Sequence, residues 1–118
     1  MTRASTTMLG RAAEDRALAW LQTQGLQLVE RNARSRCGEI DLVMRDGPVL
    51  VFVEVRSRRS ASHGGAAASI GATKQARLWR AAQRYLQRLG QPCACRFDAV
   101  CIDGESLRWL KHVLVRDA

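Results

Sequence analysis

No run in this 118-residue sequence approaches the roughly 18 consecutive apolar residues that a membrane-spanning helix requires. The opening Met1-Thr2-Arg3 also lacks the apolar stretch of a secretory leader, so a cytoplasmic protein with no membrane partner is expected. The four cysteines, Cys37, Cys93, Cys95 and Cys101, include no C-x-x-C pair, and the two histidines, His63 and His112, stand apart from them. The ligand spacing of a zinc site is therefore missing, and reduced thiols are expected instead. Internal repeats and linker-like stretches are missing too, and the length suits one modest core. A single domain over residues 1–118 follows.

Lysine is scarce: of 19 basic residues only Lys74 and Lys111 are lysines and the other 17 are arginines. Against 11 acidic residues this leaves a net charge of +8, which points to a polyanionic partner. Arginine makes bidentate contacts to phosphate, so the composition suits a surface that follows a nucleic-acid backbone.

Thr7 to Gln24 has helical spacing, with Gly10, Glu14, Ala17, Leu18 and Leu21 on one stripe and Gly25 as the stop. Glu14 stands where the stripe asks for an apolar residue, so its carboxylate should face the body of the fold or a cleft in it. Leu26 to Arg31 alternates as a short strand, Asn32 to Cys37 reads as a basic loop, and Glu39 to Arg45 as a second strand. After the turn Asp46-Gly47-Pro48, the run Val49 to Arg56 is β-branched at every odd position and predicts a central strand. Ser57 to Thr73, rich in Ser, Ala, Gly and Arg, predicts a long mobile loop. Thr73 is the expected cap of a helix from Lys74 to Leu89 that carries Arg77, Arg80, Arg84 and Arg88 along its outer side. Arg96 to Ile102 and Ser106 to Val115 complete the pattern as strands joined at Asp103-Gly104. The order αβββαββ predicts an α/β fold with a mixed central sheet flanked by helices.

Alternation sets Leu50, Phe52, Glu54 and Arg56 on one face of the third strand. An unpaired carboxylate at Glu54 would cost several kcal/mol in that setting, so a cation is expected beside it. A two-residue loop at Asp46-Gly47, or a four-residue loop from Arg45 to Pro48, sets Asp41 opposite Phe52 and diagonal to Glu54, with Glu39 opposite Glu54. Clustered carboxylates repel, and hard oxygen ligands with open positions suit Mg²⁺ or Mn²⁺. With Glu14 from the first helix and Arg56 beside Glu54, the set has the charges needed for metal-assisted cleavage of a phosphodiester. Taken singly, Glu14 and Glu54 also read as ordinary paired surface or strand-end residues; their joint placement favours a site. Trp20, Trp79 and Trp109 read as core or core-rim residues, and His63 and His112 as solvated.

Gly38-Glu39-Ile40-Asp41-Leu42 and Phe52-Val53-Glu54-Val55-Arg56 resemble the motifs of the YraN family of small bacterial predicted nucleases. Gly10 with Glu14, Arg31-Asn32, Lys74 and Arg96-Phe97-Asp98 extend the resemblance over nearly the whole chain. That family is similar to archaeal Holliday-junction resolvases, which implies the restriction-endonuclease-like αβββαβ core of PD-(D/E)xK nucleases. The resemblance implies catalytic roles for Glu14, Asp41 and Glu54, and a metal held by Asp41, Glu54 and the carbonyl of Val55. Where the family has lysine this sequence has Arg56, and arginine does not act as a general base at neutral pH. Lys74 is the second choice for the basic role. The expected activity is Mg²⁺- or Mn²⁺-dependent endonucleolytic hydrolysis of DNA, with branched or structured DNA as substrate. Arg34, Arg36, Arg58, Arg59 and Arg77 are the expected backbone contacts, and a second copy of the chain stays open as a partner. The alternative is a DNA-binding module that keeps the fold without the activity.

Overall fold

The computed structural model describes residues 2–58 and 71–113, with side chains from Gly10 onward. The elements are α1 (Thr2–Thr23), β1 (Gln27–Ser35), β2 (Gly38–Asp46), β3 (Val49–Arg58), α2 (Ala72–Leu89), β4 (Cys95–Asp103) and β5 (Ser106–Leu110). This is the order expected from the sequence. The five strands form one sheet in chain order, antiparallel except for the parallel pair β3 and β4, so β3 is central.

The two faces of the sheet are covered by different helices. Ala17 and Leu21 of α1 pack on Leu42, Met44, Val51 and Val53, whereas Leu78, Ala82 and Tyr85 of α2 pack on Val43, Leu50, Phe52 and Phe97. Alternation along β3 feeds both layers, which is why every residue from Leu50 to Glu54 is buried. Gly25 and Gly90 end the helices with φ of 96° and 77°, a conformation in which a side chain would clash with its own backbone. Trp20 packs edge-on against Trp109 and Trp79 lies against Phe97, so the tryptophans belong to the two cores.

Several expected boundaries move. The basic segment Asn32 to Cys37 is not a loop: β1 continues to Ser35 and pairs with β2 through Ser35↔Gly38, after a bulge between Leu28 and Glu30. Its edge position leaves Arg34 exposed, which hides the apolar alternation on which the shorter reading relied. The β2–β3 turn is Gly47-Pro48, because Asp46 pairs with Val49. The register is therefore displaced from the expected one; the ladder runs as far as Leu42↔Val53, and Asp41 is no longer opposite Phe52 nor Glu39 opposite Glu54. Helix α2 begins at Ala72 with Gly71 as its N-cap, so Thr73 is inside the first turn. Strand β5 stops at Leu110, and His112 takes a φ of 57° beyond it. The expected mobile loop lies for the most part outside the described residues, as do Arg59, His63 and Val115.

Candidate active site

Where β2 and β3 pass beyond the last rung of their ladder, their side chains meet the middle of α1 and the start of α2. The result is an open hollow of about 630 Å³ whose lining includes Glu14, Asp41, Glu54, Val55, Arg56 and Lys74. All five residues expected to carry chemistry are in that lining. Asp41 and Glu54 both line the hollow, just past the last rung Leu42↔Val53. Asp41 Oδ2 accepts the backbone N–H of Val55 at 2.8 Å.

Glu54, only 2% exposed, has the cations its burial calls for. Lys74 Nζ lies 2.9 Å from Glu54 Oε2, and Arg56 Nη1 lies 3.7 Å from the same oxygen. The lysine of the second helix is thus the nearer of the two basic groups. Asp41 has no ion-pair partner among the described residues, and burial, reinforced by Glu54, pushes its carboxyl up to about 9.

A second group of acids adjoins the first. One carboxylate oxygen from each of Glu14, Glu39 and Asp41 lies within 4.8 Å of the other two. Glu14, half-buried on α1, also meets Arg31 at 3.4 Å. Asn32 ties the group together: its Nδ2 donates to Glu14 Oε1 at 3.1 Å, Glu14 Oε2 at 3.3 Å and Glu39 Oε1 at 3.2 Å. Asn32 does so from a left-handed backbone, φ 52°, in the middle of a strand, a conformation asparagine tolerates better than most residues. Glu39 was expected in the carboxylate cluster but not among the catalytic residues or metal ligands, and Asn32 was missing from the expected site; the Arg31-Asn32 pair was the available signal.

The ligand set expected for a metal differs from the one the geometry offers. Glu14, Glu39 and Asp41 converge on one point, whereas Glu54 is held by Lys74 and Arg56, and Val55 is engaged with Asp41 through its N–H. Of the expected backbone contacts, Arg34 is paired with Glu39 at 2.9 Å, Arg58 lines the hollow, and Arg36 and Arg77 are exposed. No helix among the described residues is long and apolar enough to cross a membrane.

Comparison with known proteins places the site in a family context. Residues 13–102 match the model of a family described as "Uncharacterised protein family UPF0102". Glu14, Asn32, Glu39, Asp41, Glu54, Arg56 and Lys74 are all inside that span. A UPF0102 protein of Janthinobacterium sp. (strain Marseille) is 55% identical over 95% of this chain and 91% of its own length. One from Dechloromonas aromatica is 58% identical over 96% and 93%, and one from Shewanella loihica 49% identical over 95% and 98%.

Proposed function

This chain belongs to the UPF0102 family, and from that premise and the geometry of its acidic hollow we propose that it is a metal-dependent endonuclease hydrolysing DNA phosphodiesters. The observation that carries the reading is the convergence of Glu14, Glu39 and Asp41 on one point beside the Glu54–Lys74 pair, in a chain of net charge +8. The αβββαβ order around a mixed sheet supports a restriction-endonuclease-like core forming one nuclease domain.

The donor set fits Mg²⁺ or Mn²⁺. Three hard carboxylates lie within 4.8 Å of one another, and Asp41 has no ion-pair partner among the described residues. A cation bound there would neutralise charge on the scissile phosphate and acidify a water for in-line attack. Glu14, Glu39 and Asp41 would hold it, and Asn32 fixes two of the three by donating to both. Glu54 keeps Lys74 beside the hollow, where its ammonium stabilises negative charge developing on a phosphate oxygen. Arg56 adds a second positive charge from β3 but no proton acceptor.

Incubation with flap, nicked, single-stranded and four-way-junction DNA, with Mn²⁺ or with chelator, tests the reading. Mn²⁺-dependent cleavage is expected, with branched or structured DNA preferred, and its loss in Asp41→Asn and Glu14→Gln on the order of 10²–10³-fold. Lys74→Ala should cost more than Arg56→Ala, and Arg56→Lys should preserve or raise cleavage. Inertness of the parent on every substrate, with no metal-dependent rise in Tm, would leave the second reading. That second reading, a DNA-binding module without activity, is favoured by one observation: Arg56 occupies the strand position where the resembling family has lysine.

A further inference from the structure

Away from the carboxylates, the tip of the β1–β2 hairpin meets the last turns of α2. Arg84, Gln87 and Arg88 follow the three-and-four spacing that puts side chains on one helix face, and they look toward Arg34, Ser35 and Arg36. Together these six residues line a separate hollow of about 360 Å³. Its charge is one-sided. Among the described residues Arg36, Arg84 and Arg88 have no ion-pair partner; Arg88 lies over the ring of Tyr85, 5.5 Å from its guanidinium carbon, and shares a neighbouring depression with Glu30. Unpaired arginines held near one another repel, and an arrangement of this kind is relieved by an anion with several oxygens.

The hollow and the acidic side of the molecule share walls at the β1–β2 hairpin. Arg34 and Ser35 also line an intermediate depression of about 610 Å³ whose other walls include Asn32, Glu14 and Glu39. Arg34 is the hinge of this path, since its Nε is bonded to Glu39 at 2.9 Å. A phosphodiester chain seated at the carboxylates would reach the arginines by crossing the edge of the sheet at Arg34 and Ser35.

We propose that the hollow lined by Arg36, Arg84 and Arg88 is a phosphate-binding subsite that seats the backbone of a nucleic acid flanking the phosphate at the carboxylates. The placement of the flanking phosphate rests on the nuclease reading; the affinity of the hollow for the backbone does not. Its contacts are to phosphate alone, so sequence preference is small and salt dependence steep.

The test is fluorescence anisotropy of a labelled DNA duplex in chelator, where the acidic hollow contributes no metal contact. Arg36→Glu/Arg84→Glu should weaken binding at least about tenfold and lower the salt slope by about two, one for each lost contact. Arg108→Glu/Lys111→Glu makes the same change of charge at the opposite edge of the sheet and should weaken binding less than about threefold. Arg36→Gln/Arg84→Gln, a milder pair, should move in the same direction, and replaces the first should that fail to fold by circular dichroism. Unchanged affinity in the hollow variants, or equal losses in the two charge-reversed pairs, overturns the proposal. So does a loss confined to vesicles of equal phosphatidylcholine and phosphatidylglycerol with DNA binding intact, which would assign the hollow to a membrane. Failure of Mn²⁺-dependent cleavage with the hollow effect preserved removes the nuclease reading alone.

Discussion

Glu54 on β3 and Asp98 on β4 are buried to the same degree, 2% and 1% exposed, yet they are satisfied in different ways. Asp98 aligns with Val53 across the parallel pair, so it faces α1 while Glu54 faces α2. Its two oxygens take Arg96 Nε at 3.1 and 3.2 Å, Trp109 Nε1 at 2.9 Å and the His112 backbone N–H at 3.2 Å. Arg96 is in turn tied to Asp46 at 2.9 Å. Glu54 instead shares its surroundings with a second carboxyl, Asp41, at the edge of an open hollow. Each group has beside it one non-glycine residue in the left-handed region: His112 donates to Asp98, and Asn32 binds the acids next to Asp41. A carboxylate closed off by donors from its own chain belongs to the architecture. Acids crowded together beside an opening are available to a ligand.

The sharpest way to break this contrast is to remove Asp98. Asp98→Ala takes one of the two acidic partners from half-buried Arg96 and strips Trp109 Nε1 and the His112 N–H of their acceptor, and urea unfolding should show a loss of about 3–5 kcal/mol. A smaller effect, below about 1 kcal/mol, would make Asp98 an ordinary polar residue. Metal should act on the other group only: at a hundredfold excess over its Kd, Mn²⁺ should stabilise the parent by about 2.7 kcal/mol and leave Asp41→Asn unmoved.

The pH dependence comes next in size. Asp41 titrates at about 9 in the folded protein against an ordinary 3.8, so between those values the folded state holds a proton that the unfolded chain has released. Stability in chelator should fall as pH rises through that window, by at most about 1.4 kcal/mol per unit, and Asp41→Asn should flatten the curve. Smallest is Asn32→Gly. Glycine adopts a φ of 52° without strain, so stability should change by less than about 1 kcal/mol, while the Mn²⁺ midpoint in a thermal-shift titration weakens by about tenfold. An unchanged midpoint would reduce Asn32 to a turn residue.

The order of elements and the two-layer burial of β3 were legible because both follow from periodicity, which Val49 to Val55 displays without ambiguity. Asp41 and Glu54 line one hollow although the register is displaced from the expected one, since a shift of the turn by one position preserves which residues pair by parity up to the last rung. Asn32 was not legible: a left-handed residue inside a strand breaks the alternation, and the surrounding arginines give the segment the composition of a loop. The cap of α2 was misplaced for a related reason, since Thr73 has the better capping chemistry but Gly71 has the extended backbone position. The nearness of Lys74 to Glu54 depends on where the crossover from β3 brings α2 down, a tertiary fact with no local signature.

The coincidence of strand order with chain order bears on the rate of folding. Turns at Arg36-Cys37 and Gly47-Pro48 close small loops, whereas β3 and β4 meet only through the crossover that contains α2. Glu39, Asp41 and Glu54 belong to the early meander; Glu14 joins them when α1 docks. The crowding of carboxylates is thus completed after the local pairings have formed. Whatever relieves that crowding acts on the opening step, so a bound cation is expected to lengthen the lifetime of the folded state while leaving the refolding rate near its metal-free value.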